Sequence, residues 1–402
     1  MMFRIALASL WNRRFAAGLS LCTLGLSVVL LLVVERVRDQ TRSSFSSTIS
    51  GTDIIVGART GAVQLLLFSV FRIGEPSNTL SQATWQALAA EDAVAWTIPL
   101  SLGDAHGGFR VLGTNNDYFE HFRYGARKPL ELIDGSRFSS DFDAVLGADV
   151  AGTLGLGVGS AIEVAHGGGR AAISVHDEHP FHVVGVLAPT GTPVDRTIHV
   201  PLAGIDAIHA EFQQGTAPTK PALTAIFVGL KNRAAALGLA RQLNDYESEA
   251  LLAILPGLAL AELWSIVGVA ENALLMIAGC VVLAGLLGML TALVTTLSER
   301  RREMAVLRAV GAQPWQVAAL LVFESTLLAT AAAALGWLLV TVAFAVLAPM
   351  VARNSGLYLQ AMQTSPNEAI LLMGVVFAGM LAGLMPAWMA YRNTLADGLT
   401  VR

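Results

Sequence analysis

Two stretches of this chain carry residue types that could do chemistry. The first is His176-Asp177-Glu178-His179-Pro180-Phe181-His182, three histidines and two acids around one hairpin. Imidazole and carboxylate are competent zinc ligands, and a tight turn would let His176 and His182 approach with His179 between them. The competing reading is an exposed polar turn. The second stretch is Ser298-Glu299-Arg300-Arg301-Arg302-Glu303-Met304-Ala305-Val306-Leu307-Arg308-Ala309-Val310-Gly311-Ala312. Its charges are suited to docking rather than catalysis. Met304, Leu307, Arg308 and Val310 lie on a good helix-forming run that stops at Gly311. Serine, histidine and aspartate are plentiful between residues 35 and 265, but no G-x-S-x-G elbow or other catalytic spacing accompanies them. A phosphate-binding G-x-x-x-x-G-K-[ST] loop occurs nowhere. The chain therefore reads as non-catalytic, with no cofactor of its own.

The elements that position the second stretch are membrane helices. Residues 273–297 are apolar and uncharged, longer than the roughly 20 residues a hydrocarbon core requires. A second apolar run begins near Val317, so the charged segment is a short hook between two spans. Arginines are retained on the cytoplasmic side, which places the hook in the cytosol. Anchoring explains the arginines but does not require the apolar face of Met304, Leu307 and Val310. That face predicts a docked partner, by helix-in-groove logic.

The whole chain agrees with this plan. It has 402 residues, 54% hydrophobic and 14% charged, too apolar for an ordinary soluble protein and too polar for a wholly embedded one. The net charge of -4 argues against a nucleic-acid partner. Cys22 and Cys280 fall in spans and read as packing residues.

In order, residues 1–15 read as a cytosolic interfacial helix and 16–34 as an uncleaved first span. Residues 35–265 form an α+β domain, with span two and its stalk over 266–297. The hook covers 298–316, span three 317–347, an outer loop 348–368, span four 369–389 and a cytosolic tail 390–402. Glu324 is the lone acid expected within the spans, read as structural or coupling, facing Arg308 or the interface. Arg4, Arg13, Arg14, Arg300, Arg301, Arg302, Arg308 and Arg392 fall inside against Arg353 outside, so both termini are cytoplasmic.

Within the domain, strands are expected at 53–56, 144–146, 161–164, 171–175, 181–187, 197–200 and 223–228. Helices are expected at 81–88, 116–122, 148–154, 202–212 and 234–244, and hairpin turns at 166–169 and 177–180. The run 62–71 is strongly apolar but too short to span. It is either a buried helix or a surface meeting an apolar substrate or partner.

The chain resembles the MacB/FtsX-type permeases of ATP-binding-cassette systems, mechanotransmission transporters whose plan the lipoprotein-extracting Lol permeases share. The hook carries the resemblance most specifically. Val111-Leu112-Gly113-Thr114-Asn115-Asn116-Asp117-Tyr118-Phe119, Asp134-Gly135-Ser136-Arg137-Phe138, Phe181-His182-Val183-Val184-Gly185-Val186-Leu187 and Pro386-Ala387-Trp388-Met389-Ala390 add to it. The resemblance implies a bacterial inner-membrane protein of four spans, with a large periplasmic MacB-like core domain between the first and second. It implies a separate ATPase subunit that binds ATP and magnesium, and a permease homodimer or pseudo-symmetric heterodimer. A periplasmic or outer-membrane partner and membrane lipids complete the expected contacts. The coupling helix falls on Glu299, Arg300, Arg301, Arg302, Glu303, Met304, Leu307 and Arg308. Export, or extraction from the periplasm or outer leaflet, is the implied task. The alternative is signalling to a periplasmic partner such as a cell-wall hydrolase; the size of the outer domain favours transport.

Overall fold

The computed structural model describes residues 11, 13–76, 78–166, 174–175, 180–212, 222–296, 309, 311–355 and 365–396. Its longer helices are α1 (Arg14–Thr48), α2 (Ala62–Phe71), α3 (Gln82–Ala89), α4 (Asp117–His121), α5 (Ala148–Leu154), α6 (Leu202–Phe212), α7 (Ala236–Asn244), α8 (Pro256–Thr295), α9 (Pro314–Ser355) and α10 (Pro366–Ala396). The chain divides into two compact units, one of residues 1–40, 268–350 and 359–402, the other of 41–267 with 351–358.

The first unit is the membrane unit. Four helices, α1, α8, α9 and α10, are long and apolar enough to cross a bilayer. Three of them start on proline at the first helical position, where its missing N–H costs no hydrogen bond. Ala278, Val282, Leu286, Met289 and Leu293 form the buried stripe of α8, spaced three and four apart, packed with Leu24, Val28 and Leu32 of α1. Opposite faces stay bare: Leu26, Met276, Ile277 and Phe377 are all more than half exposed. So much apolar surface is a liability in water and ordinary against acyl chains.

These helices outrun the apolar segments that announce them. Hydropathy stops at Val34, yet α1 continues through Glu35 and Arg36 to Thr48. The outer loop expected over 348–368 is likewise helical up to Ser355. An apolar window marks hydrocarbon, whereas a helix ends only where its backbone bonds find other partners. Most of the expected interfacial helix over 1–15 lies outside the described residues.

The second unit is a mixed sheet with helices on both faces. Its principal strands are β1 (Ile54–Ala58), β2 (Val94–His106), β3 (Phe109–Thr114), β4 (Leu132–Gly135), β5 (Asp143–Leu146), β6 (Phe181–Leu187), β7 (Thr197–Pro201), β8 (Ala225–Leu230) and β9 (Leu251–Ile254). Across the sheet they run β9-β1-β8-β2-β3-β7-β5-β6-β4. The β3–β7 and β5–β6 pairs are parallel, the rest of this path antiparallel. β2 joins the two halves: Val94–Leu100 pairs with β8, and Ser101–His106 pairs with β3.

Side-chain alternation sorts three cores from this one sheet. Ile55, Phe227, Leu112 and Val145 point to one face, where α2 and α4 add Leu65, Leu66, Phe68, Tyr118 and Phe119. On the other face Ile54, Val56, Ile226 and Val228 meet α7. Further along that face, Val111, Ala144, Leu146 and Ile198 meet α5 and α6. The run 62–71 is thus a buried helix, and its reading as a substrate-facing surface is overturned. Its apolar side chains fill the core that both halves of the sheet share.

The expected strands and helices all have counterparts where they are described, but β2, β3, β4 and β9 were not anticipated as strands. Pro99 and Gly103 interrupt β2 and look like breakers in sequence. The signal that finds β2 and β3 is Gly107-Gly108, with φ of +57° and +85°, the two-glycine turn of a tight hairpin.

Gly147, at the N-terminus of α5, faces the backbone carbonyls of Val194 and Asp195, with no room for a Cβ. Gly147→Ala is expected to destabilise the chain by about 1–3 kcal/mol through overpacking, read as a lowered unfolding midpoint.

Candidate functional site

The residues assigned to ATPase docking, Glu299, Arg300, Arg301, Arg302, Glu303, Met304, Leu307 and Arg308, lie outside the described residues. The structure describes the helix ends on either side of them. α8 ends at Thr295, and the Arg13 guanidinium donates to the carbonyl of Thr296 at 3.0 Å. A cation there satisfies an orphan carbonyl and suits the negative helix end. On the far side Ala309 is helical and Gly311 has φ +100°, a left-handed residue of the kind that stops a helix. Then the Gln313 N–H donates to Gln316 Oε1 at 3.0 Å, one half of a capping box, and Pro314 opens α9.

Ionisable side chains in the membrane unit meet where sequence did not place them. Glu324, the one acid expected in the spans, is buried at 1% exposure; Arg308, its expected neighbour, is outside the described residues. A buried ion pair lies just past the apolar windows, between helices. Arg36 of α1 donates to both carboxylate oxygens of Glu368 on α10, Nε at 2.6 Å and Nη2 at 2.7 Å. Both side chains are 1% exposed. The same guanidinium lies 5.3 Å from the Phe344 ring centroid and 3.4 Å from the Thr341 hydroxyl, both on α9. Two residues on, Arg38 reaches Glu35 at 3.3 Å and Glu271 of α8 at 3.4 Å, with 27% of its side chain exposed. These pairs differ in weight. Removing one partner of a buried pair costs about 3–5 kcal/mol. An exposed pair is worth about 0–1 kcal/mol, and the partly exposed Arg38 contacts fall nearer that end. Sequence reading missed the first pair because Arg36 and Glu368 sit just beyond the apolar windows. The findable signal was one basic and one acidic residue at matching distances past their spans.

In the second unit, the C-terminal end of α1, the N-terminal part of α8 and the end of α2 meet in an aromatic cluster. Phe45 stacks on Phe71 at 4.2 Å and meets Trp264 edge-on at 5.6 Å. Arg42 lies 5.4 Å from the Trp264 ring centroid. Ala259 is buried in the shared core, and Leu260 and Phe45 pack against it. Both helix ends are therefore part of the domain's own packing.

That core also holds His199, which alternation turns towards Tyr118 and Phe119. Its Nδ1 donates to the Val145 carbonyl at 3.2 Å, while Nε2 is buried with no hydrogen-bond partner. Burial pushes its pKa down to about 3, aided by the Arg72 guanidinium. Burial likewise raises Tyr118, with Arg72 opposing. These are neutral core residues rather than an acid–base pair.

The histidine hairpin is only partly described. His176 and His179 lie outside the described residues, and His182 is an exposed residue of β6 whose N–H donates to the Phe142 carbonyl at 2.7 Å. Among the described residues, Asp117, Glu120 and His121 on α4 are a carboxylate–imidazole group with ligand-like spacing. There Asp117 accepts from Asn115 at 2.7 Å and His121 stacks on Trp96 at 5.2 Å, so two members are already engaged.

Comparison with known proteins covers both units. Residues 17–246 match the family model of the MacB-like periplasmic core domain, and residues 275–395 that of the FtsX-like permease C-terminal region. No curated protein matches the chain. Among solved structures, similarity reaches the periplasmic region of MacB from Actinobacillus actinomycetemcomitans, at 14% identity and a TM-score of 0.35, covering 56% of this chain and 95% of that one. It also reaches the extracellular domain of the noncanonic ABC-type transporter YknZ from Gram-positive bacteria, at 17% identity and a TM-score of 0.31, covering 50% and 99%.

His199 gives the domain a pH signature. Its folded pKa lies below the unfolded value, so its stabilisation is complete above about pH 6.5 and is lost as pH falls towards 3. The loss is expected to be on the order of 4 kcal/mol across that window. His199→Leu should flatten the fall of the chemical unfolding midpoint between pH 7 and pH 4. Equal slopes in the two proteins would dismiss His199 as its source.

Proposed function

The chain belongs to the MacB/FtsX-type family of ABC transporter permeases, and from that premise we propose that it couples a separate ATPase subunit to a shape change of its sheet domain. The match of both family models, over residues 17–246 and 275–395, carries the reading. In this account the protein sits in a bacterial inner membrane with both termini in the cytosol and residues 41–267 in the periplasm. Two permeases, identical or pseudo-symmetric, meet two ATPases that hold ATP and magnesium. The permease itself catalyses nothing.

The physical route is short. ATPase closure displaces the hook containing Met304 and Leu307. The hook follows directly on α8, which runs unbroken from Pro256 to Thr295. A continuous helix transmits axial force without a hinge, and α8 carries Ala259 into the core of the sheet domain and Trp264 against Phe45. The output is a movement of that domain which expels or extracts a substrate from the periplasm or outer leaflet. No conduit through the bilayer is needed.

Replacing Met304 and Leu307 together by Asp is expected to reduce permease-stimulated ATP turnover at least tenfold while the protein still inserts in the membrane. Unchanged stimulation would remove the docking role. Topology is checked separately, in a background lacking Cys22 and Cys280. Arg302→Cys should react with a thiol reagent only from the cytosolic side and Asp177→Cys only from the outside. Reversed labelling would overturn the orientation.

A further inference from the structure

The Arg36–Glu368 pair lies on helices that already interlock without it. An added Cβ on Gly336 of α9 would strike the side chain of Val28 on α1 and approach the Gly25 carbonyl at 3.2 Å. On α10, Gly379 abuts Ala329 and Gly383 abuts Ser325, both on α9. Small residues let helix backbones approach closely and pack by van der Waals contact. Such contacts hold helices together but specify their alignment poorly. Gly379 and Gly383 are four residues apart, and so are Ser325 and Ala329. Sliding α10 along α9 by one turn, about 5.4 Å, sets Gly379 against Ser325 or Gly383 against Ala329 and recreates a similar interface.

The charge pair has no such degeneracy. The guanidinium of Arg36 is held by α10 through Glu368 and by α9 through Thr341 and Phe344. A bidentate fork tolerates little displacement. With both side chains 1% exposed, no water takes over a lost contact, so a slipped register leaves two buried charges unpaired. We infer that Arg36 and Glu368 are positioning residues that select one register of α1, α9 and α10 among several that small-residue packing would accept. Fixing register is the best-attested use of a buried polar pair, whereas net stabilisation is not expected of one. This inference does not rest on ATPase coupling. If coupling operates, it adds that the three helices carry displacement as one piece.

The test separates register from stability. Spin labels at Val346 on α9 and Leu384 on α10, both exposed, lie far apart along the bundle, so an axial slip changes their separation nearly in full. The full chain in lipid is expected to give one narrow distance. The apolar double variant R36M/E368L should insert and resist unfolding as well as the parent, yet show a second population displaced by roughly 5 Å. The charge-reversed variant R36E/E368R should restore the single distance, a rescue that loss of bulk packing would not produce. A single unshifted distance in R36M/E368L overturns the inference. So does a split distribution in an inserted R36E/E368R protein. If R36M/E368L fails to insert, the pair is needed for assembly rather than register, which also overturns it.

Discussion

A chain leaving a hydrocarbon layer must keep its backbone N–H and C=O groups paired until water or protein can serve them. α1 and α8 meet this constraint by not stopping. α1 runs from Arg14 to Thr48 and α8 from Pro256 to Thr295, so each contributes residues to the membrane unit and to the sheet domain. Neither transition has a loop. Much else depends on this. The charges just beyond the apolar windows, Glu35, Arg36, Arg38 and Glu271, sit on helix and find partners along it or on neighbouring helices. The residues further out, Phe45 and Trp264, arrive in the sheet domain already ordered.

The sheet domain receives them on its common face. A sheet with separate cores in each half could flex at the junction. Here β2 belongs to both halves, and the core containing Ile55, Leu112, Val145 and Phe227 spans them. α2 lies in that core, and Phe71 at its end stacks on Phe45. Arg72 follows with φ of +61°, a left-handed cap on a residue other than glycine, and its N–H donates to the Leu67 carbonyl. Left-handed backbone at a side-chain-bearing residue costs about 1 kcal/mol or more, so its surroundings hold the chain there. The short apolar run that stood out in sequence is the element through which the helix ends meet the sheet.

Sequence made the architecture readable because burial on two faces leaves a strong trace. Fully buried strands such as Asp143–Leu146 and Thr197–Pro201 read as short, largely apolar runs, and the four spans as long uncharged ones. β2 escaped because a proline and a glycine inside a strand weigh more in a local reading than thirteen residues of pairing do. The site was less legible. The hook was proposed from charge and spacing, and the residues assigned to docking within it lie outside the described ones. The Arg36–Glu368 pair joins positions 332 apart in sequence, and no local pattern records such a contact. Hydropathy also pointed away from it, since it treats each charge as the end of a span rather than as half of a neutral pair.

His199 and Arg36 show two ways a fold accommodates a polar group in an apolar place. His199 occupies a strand position whose alternation calls for a hydrophobe, and it is tolerated by remaining neutral, with one ring nitrogen donating to Val145. Its partner is a backbone carbonyl that the paired strand supplies whatever its side chain. Arg36 carries a guanidinium, whose fork of N–H donors offers no acceptor atom. It must be met by an opposite charge wherever it is buried, so its position and that of Glu368 are one decision. A buried histidine therefore marks a strand that was already fixed by its neighbours. A buried arginine in the membrane unit constrains helices whose smooth, small-residue surfaces leave their alignment open.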